Sequence, residues 1–225
     1  YLGFLNADEM KDISEPFTFA KSVGISTDNR IYMLDSTRHL VHIYEIDNIT
    51  GIITSIGQWG KLGGLTDRQG FYKPNQLFVH NDKVYICDTG NKAIKKYNLQ
   101  GNWESTYTDF IPEGSTDKII SACVDKENNI QILTSTNLIK IDNTGKVLKT
   151  TIFNFPSIPI KIITNYDGGL LYICCENQVL RVTLNHELTN SFAKLEKEIY
   201  PDIARYTSIA SDTRGVLYLT DGKVI

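Results

Sequence analysis

No apolar run in this 225-residue chain is longer than a few residues, far short of the ~20 needed to span a bilayer as a helix. Nor is there a basic excess. Lys and Arg total 23 against 26 Asp and Glu, a net charge of −3, so the chain as a whole is not expected to attract nucleic acid or anionic membrane non-specifically. Cysteine is sparse: Cys87, Cys123, Cys174 and Cys175, with no CxxC pair and no histidine at zinc spacing. Cys174 and Cys175 are adjacent and would point to opposite faces of a strand. All four are expected as small buried thiols rather than a disulfide framework. No GxSxG elbow, P-loop, dinucleotide fingerprint or HExxH is present. The glycines at Gly57–Gly64 lack the Lys-Ser/Thr and following helix of a phosphate cradle, and read as a connector. No charged-then-apolar leader precedes Tyr1, and the chain stops at Asp221–Ile225 without a turn. The expectation is a processed or trimmed piece, cut in mid-strand, with any leader or anchor out of view.

What is there is ordinary globular composition, 41% hydrophobic and 22% charged. A chain of this length should bury roughly 70% of its unfolded surface, enough for a full core. Five short runs align: IYMLD (31–35), VYICD (84–88), IQILT (130–134), LYICC (171–175) and LYLTD (217–221). Their second residues, Tyr32, Tyr85, Gln131, Tyr172 and Tyr218, are 53, 46, 41 and 46 apart. Before each run lies an apolar stretch and a polar turn rich in Asp, Asn or Gly, residues that cap their own backbone or tolerate positive φ. After each of the first four comes a strand such as LVHIYEI or NLIKID. Its alternation suits an outer strand with one wet face. The central runs are nearly continuous and should be covered on both faces. Further strands fall at 52–56 and 147–153. Four strands per 40–50 residues is the length of a β-propeller blade. One such unit cannot bury its own faces, so neighbours must stack.

The stretch from Gly57 to Gly101 resembles an NHL-type repeat. Gly57, Gly60, Gly70-Phe71, Pro74, the strand around Val84-Tyr85-Ile86, the Asp88-Thr89-Gly90-Asn91 turn and the closing Gly101 stand in that order. The unit from Pro16 matches more loosely through Asp35-Ser36-Thr37-Arg38. The third and fourth units carry Thr134 and Cys175 where the aspartate would be. The resemblance implies an all-β, NHL-like propeller of four-stranded antiparallel blades, six in the full protein, of which five whole or partial ones are recognisable. The reading is one domain over 1–225. Its blades fall near 16–60, 61–112, 113–155, 156–200 and a truncated 201–225, and residues 1–15 hold a possible closing strand at Tyr1–Asn6. One segment, Asn190–Asp202, sets Phe192, Leu195 and Ile199 at helical spacing before Pro201. It reads as a short helix or irregular linker, with an outer strand as the alternative.

Candidate chemistry concentrates in the longest connection. Trp59, Lys61, Arg68, Tyr72 and Lys73 form an aromatic and polar surface there, with Phe71 read as a plug between blades. Loops on a rigid scaffold carry function, and Trp, Tyr and Arg anchor interfaces. Lys92, Lys95 and Lys96, near Tyr97 and Trp103, make a weaker basic patch. Asp35, Asp88 and Asp221 recur at one position and read first as turn-formers. His39, His42, His80 and His186 show no ligand pairing, so no metal site or cofactor is expected. The favoured function is a non-enzymatic module that recognises a protein, peptide or small ligand. The alternatives are a lactonase- or lyase-like hydrolase with Ca²⁺ or Zn²⁺ on the axis, and an NHL-type RNA binder; nucleic acid is otherwise not an expected partner. Abundant Asn, Ile, Lys and Tyr fit a bacterial origin. Propellers of this resemblance occur as extracytoplasmic parts of larger bacterial proteins, and the sequence itself leaves the compartment open.

Overall fold

Residues 18–47, 49–196 and 202–221 are described in a computed structural model. They fold as antiparallel meanders. Strands β1 (Ala20–Ile25), β2 (Arg30–Asp35), β3 (Leu40–Ile46) and β4 (Ile53–Trp59) form the first sheet, in sequence order. After the two-residue strands β5 (Lys61–Leu62) and β6 (Gly70–Phe71), the second sheet comprises β7 (Gln76–His80), β8 (Lys83–Asp88), β9 (Ala93–Asn98) and β10 (Trp103–Tyr107). The third holds β11 (Ile119–Val124), β12 (Ile130–Thr134), β13 (Asn137–Ile141) and β14 (Val147–Ile152). The fourth holds β15 (Pro159–Thr164), β16 (Leu170–Cys175), β17 (Val179–Thr183) and β18 (Leu188–Phe192). Strands β19 (Ser208–Ser211) and β20 (Leu217–Thr220) make a two-stranded sheet. The chain divides into two compact units between Thr108 and Asp109.

The five aligned runs all become second strands: β2, β8, β12, β16 and β20. The first four of these are almost wholly buried, as their unbroken apolar pattern requires. The third strands differ from expectation. β3, β9 and β13 are buried along most of their length, polar residues included. A third strand is flanked by strands on both sides and lies inside the sheet, so the wet edge passes to the fourth. Accordingly β14 and β18 are exposed almost throughout. The helical spacing at 190–202 does not produce a helix in the described residues. Asn190–Phe192 finish β18, where they pair with β17, and 193–196 are irregular. The candidate closing strand at 1–15, Ile199, Pro201 and the last four residues lie outside the described residues.

Within each unit the sheets pack through their first strands: β1 against β7 in the first unit, and β11 against β15 and β15 against β19 in the second. Between the first two sheets lies a core of Tyr32, Leu34, Val41, Phe71, Leu77, Val84, Ile86 and Tyr97. Burying each large side chain of this kind contributes about 1.5–3 kcal/mol. At the closest approach of β1 and β7 stands Gly24, where a Cβ would sit 2.9 Å from both Leu77 and Val79. Only a residue without a side chain lets the strands meet there. Hydroxyls stitch the same contacts. Ser22 donates to the Leu77 carbonyl at 2.8 Å. In the second unit Ser121 receives the Ile162 amide at 3.1 Å. All four cysteines are buried thiols outside any disulfide; burial pushes the Cys174 thiol up to about 11 and Cys175 to about 12, which leaves both inert at neutral pH.

Candidate functional site: the pinned connector of the first unit

The longest connection runs from Trp59 to Asn75. Its glycines let two stretches of backbone lie together. Lys61–Leu62 pairs in parallel with Gly70–Phe71, and a Cβ on Gly63 would fall 2.7 Å from the Gly70 Cα. Such a loop turns its carbonyls inward, and they need a donor. Lys95 of β9 is that donor. Its side chain is fully buried, and its ammonium lies 2.6 Å from the Gly70 carbonyl, 2.8 Å from that of Asp67 and 3.4 Å from that of Gly64. The charge is balanced by Asp88, also fully buried, at 3.3 Å.

Asp88 pins the connector from the other side. Its Oδ1 accepts the Tyr72 amide at 2.7 Å and its Oδ2 the Asn91 side-chain amide at 2.7 Å. Asn91 also donates to the Gly63 carbonyl at 3.1 Å. Burial pushes the Asp88 carboxyl up, and the Asn91 amide, the Tyr72 amide and Lys95 oppose it. The Thr89–Asn91 turn closes on the connector through a Gly90 amide to Tyr72 carbonyl bond of 2.8 Å. A Cβ at Gly90 would lie 2.4 Å from that carbonyl oxygen. Under the loop, Trp59 packs on Tyr97 and Phe71 with ring centroids 4.4 and 5.7 Å away, and the Tyr97 hydroxyl donates to the Arg68 carbonyl at 2.6 Å.

The residues singled out from sequence separate clearly on this frame. Trp59 is half-buried at the base of the loop, beside the wholly buried plug Phe71. Lys61 is exposed and paired with Asp67 at 2.9 Å, which holds the Asp67 carboxyl below its usual range. Arg68, Tyr72 and Lys73 are exposed. The Arg68 guanidinium lies 4.2 Å above the Trp103 ring and the Lys73 ammonium 5.3 Å from the Tyr72 ring. The basic patch does not survive as a surface of three. Lys95 is an internal cation, and Lys96 sits near Glu104 at 3.5 Å; Lys92 holds a left-handed backbone, φ +50°, at the end of the turn. Sequence reasoning missed the role of Lys95 because a lysine beside Lys96 in an alternating strand looks solvated. The available signal was the Asp-turn seven residues upstream of a glycine-rich, donor-poor loop's cation.

The recurrent carboxylate also acquires a role beyond turn formation in the first two sheets, where Asp35 and Asp88 each tie a hairpin to the segment before it. Asp35 accepts the Thr18 amide at 2.5 Å together with the Thr37 and Arg38 amides at 3.0 Å. In the third sheet, where Thr134 stands in that position, the carboxylate comes from the connector instead. Asp117 accepts from the hydroxyl of Thr134 at 2.5 Å, the Asn137 amide at 2.8 Å, Thr136 and Ser135. Burial alone would raise the Asp117 carboxyl, but these four donors outweigh it and hold it low. In the fourth, Ser157 and Asn177 make the tie at 2.6 Å. Beside Asp117's hairpin, in the second unit, an open cleft of about 470 Å³ is lined by Ser135, Thr136, Phe153, Asn154, Phe155 and Ile158, among others.

His186 belongs to a polar chain in the second unit. Its Nε2 lies 2.9 Å from Gln131 Oε1, and its Nδ1 2.9 Å from the Thr151 hydroxyl. Gln131 in turn donates to Asp125 at 2.7 Å. The Gln131 oxygen only accepts, so Nε2 carries a hydrogen. Burial and the nearby Lys149 and Lys140 lower its pKa to about 4. Among the described residues no three His, Cys, Asp or Glu side chains converge as metal ligands, and no helix is long and apolar enough to cross a membrane.

No family model matches the chain, and no curated protein does. Many solved structures share its fold. A streptogramin B lyase aligns with a TM-score of 0.67 at 16% identity, over 93% of this chain and 64% of that one. A virginiamycin B lyase from Staphylococcus aureus aligns at 0.62 and 17%, over 90% and 63%. A putative 6-phosphogluconolactonase from Bacteroides uniformis aligns at 0.64 and 11%, over 92% and 65%. The chain therefore spans just under two thirds of the length of these neighbours. At this identity the likeness establishes the fold: an all-β propeller whose four-stranded antiparallel sheets are its blades.

Proposed function

We propose that this propeller is a recognition module of NHL type, six-bladed in the full protein, that displays the Trp59–Lys73 connector to a protein, peptide or small ligand. One observation carries the reading. The connector's backbone is held from inside by Lys95 and Asp88, while Arg68, Tyr72 and Lys73 stand exposed on its outside. A loop ordered before it meets its partner loses less conformational entropy on binding, and aromatic and Arg side chains supply the anchors.

The test is selection from a displayed library of random 12-residue peptides, run on the wild-type chain and on a Tyr72→Ala, Arg68→Ser variant. Peptides retained by the former and lost by the latter support the reading. Retention that ignores both substitutions, or no retention at 100 µM, overturns it.

A second reading, a metal-dependent lyase or lactonase, draws on the names of the fold neighbours. Stoichiometric Ca²⁺ or Zn²⁺ in the purified protein would place it first. The RNA-binding reading loses the lysine at its centre, since Lys95 is spent inside the fold.

A further inference from the structure

We infer that the connector's partner is an acidic peptide segment, one carrying at least two carboxylates. This deepens the recognition reading above and rests on it. The chain is acidic overall, at −3, yet its exposed connector is not. The carboxylates here are already engaged: Asp88 is buried against Lys95, and Asp67 is paired with Lys61. Arg68 and Lys73 remain as exposed cations with no carboxylate in ion-pair range among the described residues. Their charges lie over the faces of Trp103 and Tyr72 instead. A cation on an exposed ring gains only about 0.5–1 kcal/mol, and keeps its hydrogen-bonding edge for an incoming acid. The guanidinium fork matches a carboxylate in two parallel bonds.

The backbone agrees. Lys73 sits at φ +50°, a left-handed conformation that a glycine would adopt without strain and that costs a lysine on the order of 1 kcal/mol. Arg68 and Lys73 are five residues apart on a loop whose carbonyls are pinned, so their spacing is set before a partner arrives. Tyr72, 43% exposed between them in sequence, offers an apolar face. A nucleic acid fits poorly. Its charge repeats every ~1.7 Å of duplex, and two cations on an acidic protein do not match it.

The probes are three synthetic 12-mers, (Glu-Ala)₆, (Gln-Ala)₆ and (Lys-Ala)₆, with the single strand dT₁₂ and inorganic phosphate, each titrated at 50 and 500 mM NaCl. Binding of (Glu-Ala)₆ that exceeds the other four, weakens with salt and drops about tenfold or more in Arg68→Ser, Lys73→Ser supports the inference. The head groups of both residues lie outside the core, so the double substitution spares the fold. Equal binding of (Gln-Ala)₆, tighter binding of dT₁₂ or phosphate, or indifference to the double substitution overturns it. If the library selection meanwhile yields connector-dependent peptides of neutral or basic composition, the acid preference fails while the recognition reading stands.

Discussion

The first unit holds its connector with a buried charge pair; the second holds its own with neutral donors. In one, Lys95 and Asp88 face each other at full burial and satisfy carbonyls and an amide of a long glycine-rich loop. In the other, Asp117 reaches from the connector into a ring of hydroxyls and an amide. A long loop exposes many carbonyls that only donors can satisfy, and one ammonium supplies three. In the shorter connection the hairpin's Thr, Ser and Asn side chains donate instead to the carboxylate of Asp117. The tie between hairpin and connector is thus preserved while its chemistry and even its direction change. Charged ties are the more fragile kind, because removing one partner strands the other.

That contrast can be broken experimentally. Lys95→Ala should cost about 3–5 kcal/mol, since it leaves Asp88 buried without its counter-ion, read as a lowered urea midpoint. Adding Asp88→Asn to it should recover part of the loss. Next comes pH. Folded His186 has its pKa lowered to about 4, so between the unfolded value of about 6.5 and 4 the unfolded chain binds the extra proton. Its contribution is complete above about 6.5 and fades as the pH falls toward 4, by at most about 3 kcal/mol. A His186→Gln variant should flatten that part of the profile in urea titrations. Asp117→Ala should cost less than Lys95→Ala, about 1–3 kcal/mol, because the exposed Ser135 and Thr136 can turn to water and Thr134 keeps its bond to the Asn137 carbonyl; a larger loss than at Lys95 would refute the comparison. Smallest is Tyr32→Phe, which removes the 2.9 Å bond to the Leu99 carbonyl and should lower stability by about 1 kcal/mol.

Much of the fold was legible beforehand. Five apolar runs became the five second strands, and the first four are buried along most of their length, which calls for apolar residues at nearly every position. The turn residues between them were equally readable. The third strands were not. His42, Lys95 and Lys140 make them look amphipathic, yet all three are buried. Gln131 broke the tyrosine series at the second position; its purpose, a bond to His186 from 55 residues away, was invisible locally. At the connector, composition pointed to Trp59, Arg68, Tyr72 and Lys73, but gave no means of separating exposed cations from a buried one.

Periodicity and turn chemistry, then, are local properties, and they determined strand identity, sheet order and the place of the long connector from sequence alone. Whether a given polar side chain faces water or a neighbour's carbonyls depends on what another segment brings to it across space. Only the folded chain decided that Lys95 is a pin and that Arg68 and Lys73 stay outside, since a lysine's burial is set by the donors and acceptors around it and not by the residues beside it in sequence.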